Sequence, residues 1–368
     1  MALSAKVALS SKLPDFPWDL LEPAKAIAAA HPGGIVDLSI GTPVDSVPAF
    51  IRQALFDASD APGYPLTAGT RELRASITAW MSSFCGASGE FGVLPTLGSK
   101  ELVAWLPTLL GIGPGDVVVI PRVCYPTYEV GVQLSGATAV RSDSLTALGP
   151  ARIRMIWINS PSNPTGRVLP AAHLRKVVEW ARERDAVVVS DECYLSLGWE
   201  TTPVSVLSDE VCGGDYTGVI AVHSLSKRSN LAGYRAGFLG GDPALVAELL
   251  QVRKHAGMIV PFPVQAAMIA ALGDESHVAA QRARYASRRA ALRTALTAAG
   301  FEISHSEAGL YLWSSRGEDC WQTVEWLAQR GILAAPGAFY GPAAAKHVRI
   351  ALTATDERVA AAVERLAG

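Results

Sequence analysis

Short apolar runs and longer amphipathic stretches alternate through the middle of the chain. Val117-Val118-Val119-Ile120, Met155-Ile156-Trp157-Ile158, Val187-Val188-Val189 and Val219-Ile220-Ala221-Val222 are mostly β-branched and carry no polar side chain. Each stops at a turn former or a polar residue: Pro121, Asn159, Ser190 and His223. Runs this short, with no polar alternation, predict strands buried on both faces. The stretch 171–184, AAHLRKVVEWARER, repeats apolar positions at spacings of three and four, which predicts an amphipathic helix. Strand, helix, strand, repeated, requires crossovers, so the predicted fold class is α/β with a mostly parallel sheet.

Beyond residue 262 the texture changes. An arginine-rich helical stretch over 277–299 is followed by strand patterns at 301–303 and 309–313. A helix over Cys320–Gln329 and strand patterns at 331–334 and 347–352 complete the chain. This order predicts a smaller α+β domain. The expected division is 1–45 as a segment packing with the small domain, 46–262 as the large domain and 263–368 as the small one. Arg282, Arg284, Arg288, Arg289 and Arg293 are expected to form a solvated helix face.

Composition narrows the class. The chain has 368 residues, 49% hydrophobic and 18% charged, with a formal net charge of −2. That is enough apolar material for a large core, and it argues against a disordered or collagen-like chain. The charge balance offers no basic face, so no nucleic-acid partner is expected. The five cysteines are scattered and include no CxxC pair, so neither a disulfide framework nor a metal site is expected. The N-terminal residues lack the apolar core of an export signal. The apolar stretch 102–112 is interrupted by Pro107 and falls short of the roughly 20 residues needed to cross a bilayer. A cytoplasmic protein without a membrane partner is the expectation.

The chemistry gathers after the strands, as open α/β sheets require. Asn159-Ser160-Pro161-Ser162-Asn163-Pro164-Thr165-Gly166 follows the second run. Ser190-Asp191-Glu192-Cys193-Tyr194 follows the third, and His223-Ser224-Leu225-Ser226-Lys227 the fourth, with Gly233-Tyr234-Arg235 just beyond. Together they offer an amide, a carboxylate, a phenol, hydroxyls, a lysine and an arginine. That set suits an aromatic, anionic ligand able to react with an amine.

These segments resemble the fold-type-I pyridoxal 5′-phosphate (PLP) enzymes of the aspartate-aminotransferase class. SLSKRSNLAGYRAG is similar to that family's cofactor-lysine signature, NSPSNPTGRVL to its NPxNPTG loop, and VVVSDECY to its aspartate-and-tyrosine strand. The likeness runs from Leu38-Ser39-Ile40-Gly41-Thr42-Pro43 to Val348-Arg349-Ile350, in the family's order. The wording of the N-terminal part and of 160–194 is most similar to the actinobacterial N-succinyldiaminopimelate aminotransferases of lysine biosynthesis.

The resemblance implies a large domain with a seven-stranded, mostly parallel sheet and a role for each motif residue. Lys227 would be the amine that PLP captures and the base for the proton shift. Asp191 would pair with the pyridine nitrogen, and Asn163 and Tyr194 would donate to the ring oxygen. Tyr125 would stack on the ring. Gly98, Ser99 and Lys100, before a helical stretch at 101–110, would bind the phosphate with Ser224, Ser226 and Arg235. Tyr64 would reach the neighbouring subunit's phosphate, making a homodimer with shared sites. Arg349 would grip the substrate α-carboxylate, with Ile40, Gly41 and Asn163 beside it. The loop holding Pro336, Gly337, Phe339 and Tyr340 would close on the substrate. Arg253, Lys254, His255 or Lys100 could hold a distal carboxylate.

The implied activity is ping-pong transamination between glutamate and a 2-oxo acid, with N-succinyl-2-amino-6-oxopimelate as the implied acceptor. Besides another amino-acid aminotransferase of broad specificity, two alternatives stay open at this level. A PLP-dependent β-lyase acting on cystathionine or cysteine-S-conjugates shares the fold and the lysine. A non-catalytic PLP-sensing module is the other, though no helix-turn-helix extension accompanies it.

Overall fold

The computed structural model describes residues 9–149 and 152–368. Residues 1–8, part of the stretch read above for an export signal, lie outside the described residues. In chain order the strands are β1 (Val36–Asp37), β2 (Gly92–Leu97), β3 (Val117–Ile120), β4 (Thr138–Arg141), β5 (Ile153–Asn159), β6 (Val187–Asp191) and β7 (Val219–Ser224). Then follow β8 (Ala236–Gly241), β9 (Glu302–Ser304), β10 (Tyr311–Ser315), β11 (Ile332–Leu333), β12 (Ala335–Pro336) and β13 (Val348–Ala351). The helices through the first half are α1 (Glu22–Ala29), α2 (Ala49–Asp57), α3 (Arg71–Phe84), α4 (Ser99–Leu109), α5 (Thr127–Ser135), α6 (Ala171–Arg182) and α7 (Asp209–Cys212). The rest are α8 (Leu225–Arg228), α9 (Pro243–Ala256), α10 (Phe262–Leu272), α11 (Ser276–Ala298), α12 (Cys320–Gln329) and α13 (Asp356–Ala367).

The large sheet has seven strands in the order β2-β8-β7-β6-β5-β3-β4. Its ladders are parallel except where β8 pairs with β7 and β2. The apolar runs explain why it is covered twice. Ile156, Ile158, Val188 and Ala221 join one buried cluster, whereas Met155, Trp157, Val189, Ile220 and Val222 join another. Successive residues of a strand point to opposite faces, so a run with no polar break needs helices on both sides. Each fully buried Val, Leu or Ile contributes about 1.5–3 kcal/mol.

Three strands of the large sheet, β2, β4 and β8, were hidden in the sequence. Strand β8 reads AGFLGG, and a side chain on Gly237 would lie 3.0 Å from the Ser99 amide nitrogen, so glycine lets the sheet approach the Gly98–Ser99 turn. Strand β2 contains Pro95, which an edge strand tolerates.

The second core is built around the four-stranded sheet β12-β13-β10-β9. Leu21, Val36 and Leu38 of the N-terminal segment are buried in it, and β1 pairs in parallel with β11. Helix α10 contributes Ala267, Met268 and Ala271 to the core of the large sheet, although it lies beyond residue 262. Of the arginines of α11, Arg282 and Arg284 are exposed as expected of a solvated face, and the other three depart from it. Arg288 is 3% exposed and pairs with Asp45 and Asp356, while Arg289 and Arg293 share Glu200. The acidic partners lie far away in sequence, which is why the helix pattern alone could not reveal them.

Candidate active site

A cavity of about 310 Å³ lies at the carboxyl ends of β5, β6 and β7, between the two sheets. Lys100, Lys227, Arg235 and Arg349 line it, and Asp191 is its one carboxylate among the described residues. Tyr125, Asn163, Tyr194, Ser99, Ser224, Ser226, Ile40 and Gly41 also border it, so most of the expected constellation meets here.

Each element presents its group for a local reason. Gly98 stands at the start of α4 with φ +76° and no capping side chain, which leaves amide N–H groups of the first turn free for an anion. A side chain at Gly98 would collide with the Arg235 guanidinium. Arg235 itself donates to the Ala232 carbonyl at 2.9 Å. Ser224 ends β7, and its hydroxyl accepts from the Ser226 amide at 3.2 Å. One residue later, Lys227 is carried on the single turn of α8. Burial pushes its amine below the ordinary lysine range, and Arg349 and Arg235 add to the effect.

Asp191 is buried at the end of β6. Tyr128 donates to it at 2.8 Å, and the Cys193 amide donates at 3.2 Å. Burial still raises the carboxyl above its usual range, against those hydrogen bonds. No cation pairs with it among the described residues, so a protonated ring nitrogen would supply the missing partner. Asn159 braces the neighbouring loop, accepting from the Asn163 amide at 2.7 Å and donating to the Asp191 carbonyl at 2.9 Å.

Arg349 comes from β13 and is 2% exposed. It donates to Asn163 Oδ1 at 2.9 Å and to the Ser39 carbonyl, and its Nε has no partner. Asn163 Nδ2 is left to face the cavity. The guanidinium sits 4.0 Å from the Tyr311 ring centre, and Tyr311 and Tyr194 share a hydrogen bond of 3.1 Å. Gly41 packs under the Tyr311 hydroxyl so closely that any side chain there would collide with it. The Ile40 carbonyl accepts from the Thr353 hydroxyl at 3.0 Å and from the Thr42 amide at 2.9 Å, which fixes this segment at the cavity edge.

Some expected residues lie elsewhere. Arg253 is completely buried and grips both carboxylate oxygens of Glu101 at 3.2 Å, so it cannot hold a substrate carboxylate here. Lys254 and His255 do not border the cavity, whereas Lys100 does. Tyr64 is 99% exposed and does not reach the cavity of its own chain. Gly337 to Tyr340 form a 3₁₀ turn that touches the site indirectly, through Phe339 packed 5.8 Å from Trp18.

Sequence reasoning missed Tyr128, Tyr311, Phe16 and Trp18. Tyr128 stands three positions after Tyr125, and the two rings touch at 5.8 Å; that helical spacing is a signal that could have found it. Phe16 and Trp18 border the cavity from the N-terminal segment, and the Trp18 indole N–H is buried without a partner.

The comparisons agree with this geometry. The family profile described as aminotransferase class I and II matches residues 34–366. The probable aminotransferase Rv1178 of Mycobacterium tuberculosis is 63% identical over 99% of this chain and 88% of its own length. The 4-dedimethylamino-4-oxo-anhydrotetracycline transaminase OxyQ of Streptomyces rimosus is 58% identical over 96% of this chain and 99% of its own. A solved structure titled probable N-succinyldiaminopimelate aminotransferase, from Thermus thermophilus, superposes with a TM-score of 0.85 at 27% identity, covering 96% of this chain and 99% of that one. The chain belongs to the class I and II aminotransferases, a PLP-dependent family whose fold the two sheets and their helices reproduce.

Proposed function

We propose that this aminotransferase moves an amino group from glutamate to a 2-oxo acid carrying a distal carboxylate, with N-succinyl-2-amino-6-oxopimelate as the acceptor. Arg349 carries the reading. A guanidinium so buried, with no carboxylate beside it among the described residues, needs an anion to offset its lost hydration. A substrate α-carboxylate meets that need.

The residues fit the cofactor. Ser99, Ser224, Ser226 and Arg235 would hold the phosphate, Tyr125 would cover one face of the ring, and Asn163 Nδ2 with Tyr194 would donate to its oxygen. Asp191 would keep the ring nitrogen protonated. When bound, PLP supplies an electron-accepting ring that spreads negative charge from the amino acid's Cα. Lys227, with its lowered proton affinity, would take the Cα proton and return it to the neighbouring carbon of the conjugated system. Lys100, exposed at the cavity edge with its amine 5.4 Å from the Phe16 ring centre, would hold a distal carboxylate.

A second reading of the acceptor has its own support. Phe16, Trp18 and Phe339 make an aromatic wall, which favours a ring-bearing oxo compound of the kind named for OxyQ. The test offers glutamate with each acceptor and measures 2-oxoglutarate. Preference for the succinylated acceptor, with its KM alone raised by Lys100→Ala, supports the first reading. Turnover only of a planar ring ketone moves the assignment to the second, and pyruvate release from cystathionine would make the chain a β-lyase.

We also propose a homodimer in which Tyr64 completes the partner's phosphate site, supported by its full exposure beside Leu66. A cytoplasmic location is supported by the absence of paired cysteines, and no helix is long and apolar enough to cross a membrane, both among the described residues.

A further inference from the structure

A second cavity, of about 430 Å³, is larger than the one holding Lys227 and shares none of its expected chemistry. Its floor is apolar, with Val119 and Ile156 from one face of the large sheet and Val177 from helix α6 packed on it. Its opposite side comes from the small sheet: Ser304, His305, Trp313 and His347. Arg167 and His173 complete the rim.

The rim carries one guanidinium, one carboxylate and three imidazoles. Arg167 makes no ion pair among the described residues, and neither does His173. The His347 ring lies flat on Trp313, with centres 4.9 Å apart and planes 2° apart, and its Nδ1 is buried without a hydrogen-bond partner. The one lining acid, Asp143, already accepts from the Arg122 amide at 3.0 Å. His305 faces Glu307 at 3.8 Å, whereas Arg167, His173 and His347 make no ion pair among the described residues; an apolar floor beneath such donors, at this volume, is the build of a small-molecule pocket.

The position matters as much as the composition. The cavity borders Ser162 and Thr165, which flank Asn163, and His347, which precedes Arg349 by two residues. Asn163 and Arg349 are the pair joined at 2.9 Å in the active site. The segment joining β9 to β10 is also fastened to the loop of Asn163: Ser306 donates to the Thr165 carbonyl at 2.9 Å and Ala308 to the Gly166 carbonyl at 3.0 Å. His305 and Ser306 both hold positive φ, at 50° and 61°, a strained pair at the cavity edge.

We propose that this cavity is an effector site for a carboxylic acid with an apolar or aromatic body, and that its occupant alters glutamate binding through the Asn163–Arg349 pair. The carboxylate meets Arg167 and the imidazoles, while the body covers the apolar floor and Trp313. A ligand bonded to both sides fixes the loop of Asn163 relative to β13, so it binds unequally to arrangements that differ in that relation.

The probe is 3-phenylpropionate, which has neither an amino nor an oxo group and cannot turn over. Its binding to the PLP-loaded enzyme is measured by titration calorimetry and by the fluorescence of Trp313. The wild type and an Arg349→Ala variant are both expected to bind it, the latter showing that the active site is not the receptor. Arg167→Gln is expected to weaken binding at least tenfold, and Ser304→Trp, which fills the cavity, to abolish it. Saturating probe is expected to change the glutamate KM at least twofold in the wild type and to leave it unchanged in Ser304→Trp. Absence of binding at millimolar probe, binding lost in Arg349→Ala, or binding indifferent to both cavity variants overturns the proposal. The binding result does not depend on which oxo acid is the acceptor.

Discussion

At the scale of the residue, buried polar groups without partners mark where chemistry is expected. Asp191 is a buried carboxylate held by Tyr128 and a backbone amide, and removing the phenol should release it. Tyr128→Phe is expected to lower kcat about tenfold or more, the worth of one hydrogen bond to a charged group, while the cofactor stays bound. Arg349→Lys keeps the charge but loses the planar fork. It is expected to raise the KM of glutamate and of the oxo acid together by about tenfold or more, with the absorbance of the resting enzyme unchanged. Steady-state kinetics on both variants check these outcomes.

Glu192 and His223 lie behind the site, 3.6 Å apart and fully buried. Burial pushes Glu192 up to about 7 and His223 down to about 3. The two have opposite consequences. The folded state holds the Glu192 proton more tightly than the unfolded chain, so this stabilisation is lost as pH rises from 4.5 towards 7. The folded state refuses a proton on His223, so that contribution is lost as pH falls below 6.5. Glu192→Gln should therefore remove the fall in stability between pH 4.5 and about 7, and urea titrations across that window check it. An unchanged slope would contradict the burial argument.

At the scale of the element, Arg288 ties α11 to Asp45 and to the start of α13. Arg288→Ala strands a nearly buried carboxylate and should cost about 3 kcal/mol, read as a lower urea midpoint. Strands β3, β5, β6 and β7 were legible because their runs are apolar on both faces. Helix α6 was legible from its period, and α12 within its observed limits. Strands β2, β4 and β8 were not: Pro95 and four glycines mask the β signal of β2 and β8, and β4 is a short edge strand with no fully buried residue. The catalytic loops could be read because they follow legible strands. Tyr311 and the Phe16–Trp18 wall could not, since only the meeting of the two sheets and the N-terminal segment brings them to the site. The packing of α10 leads us to propose that the boundary between domains falls near residue 273 rather than 262.

At the scale of the molecule, the site draws on both sheets, and the proposed dimer draws on two chains. That arrangement predicts complementation. Mixed and refolded Tyr64→Ala and Lys227→Ala chains should regain activity that neither has alone, because a hybrid dimer contains one site with both residues native. A site complete within one chain would show no recovery.

The central claim is that Lys227, Asp191 and Arg349 form a PLP site that accepts an amino group from glutamate. The most direct measurement is the near-ultraviolet and visible absorbance of the purified protein before and after adding glutamate. The account predicts a cofactor band that glutamate shifts to that of the aminated cofactor with release of one 2-oxoglutarate per chain, and covalent fixation of the cofactor by borohydride in the wild type but not in Lys227→Ala. A band that glutamate leaves unchanged, or no band after adding PLP, would contradict it.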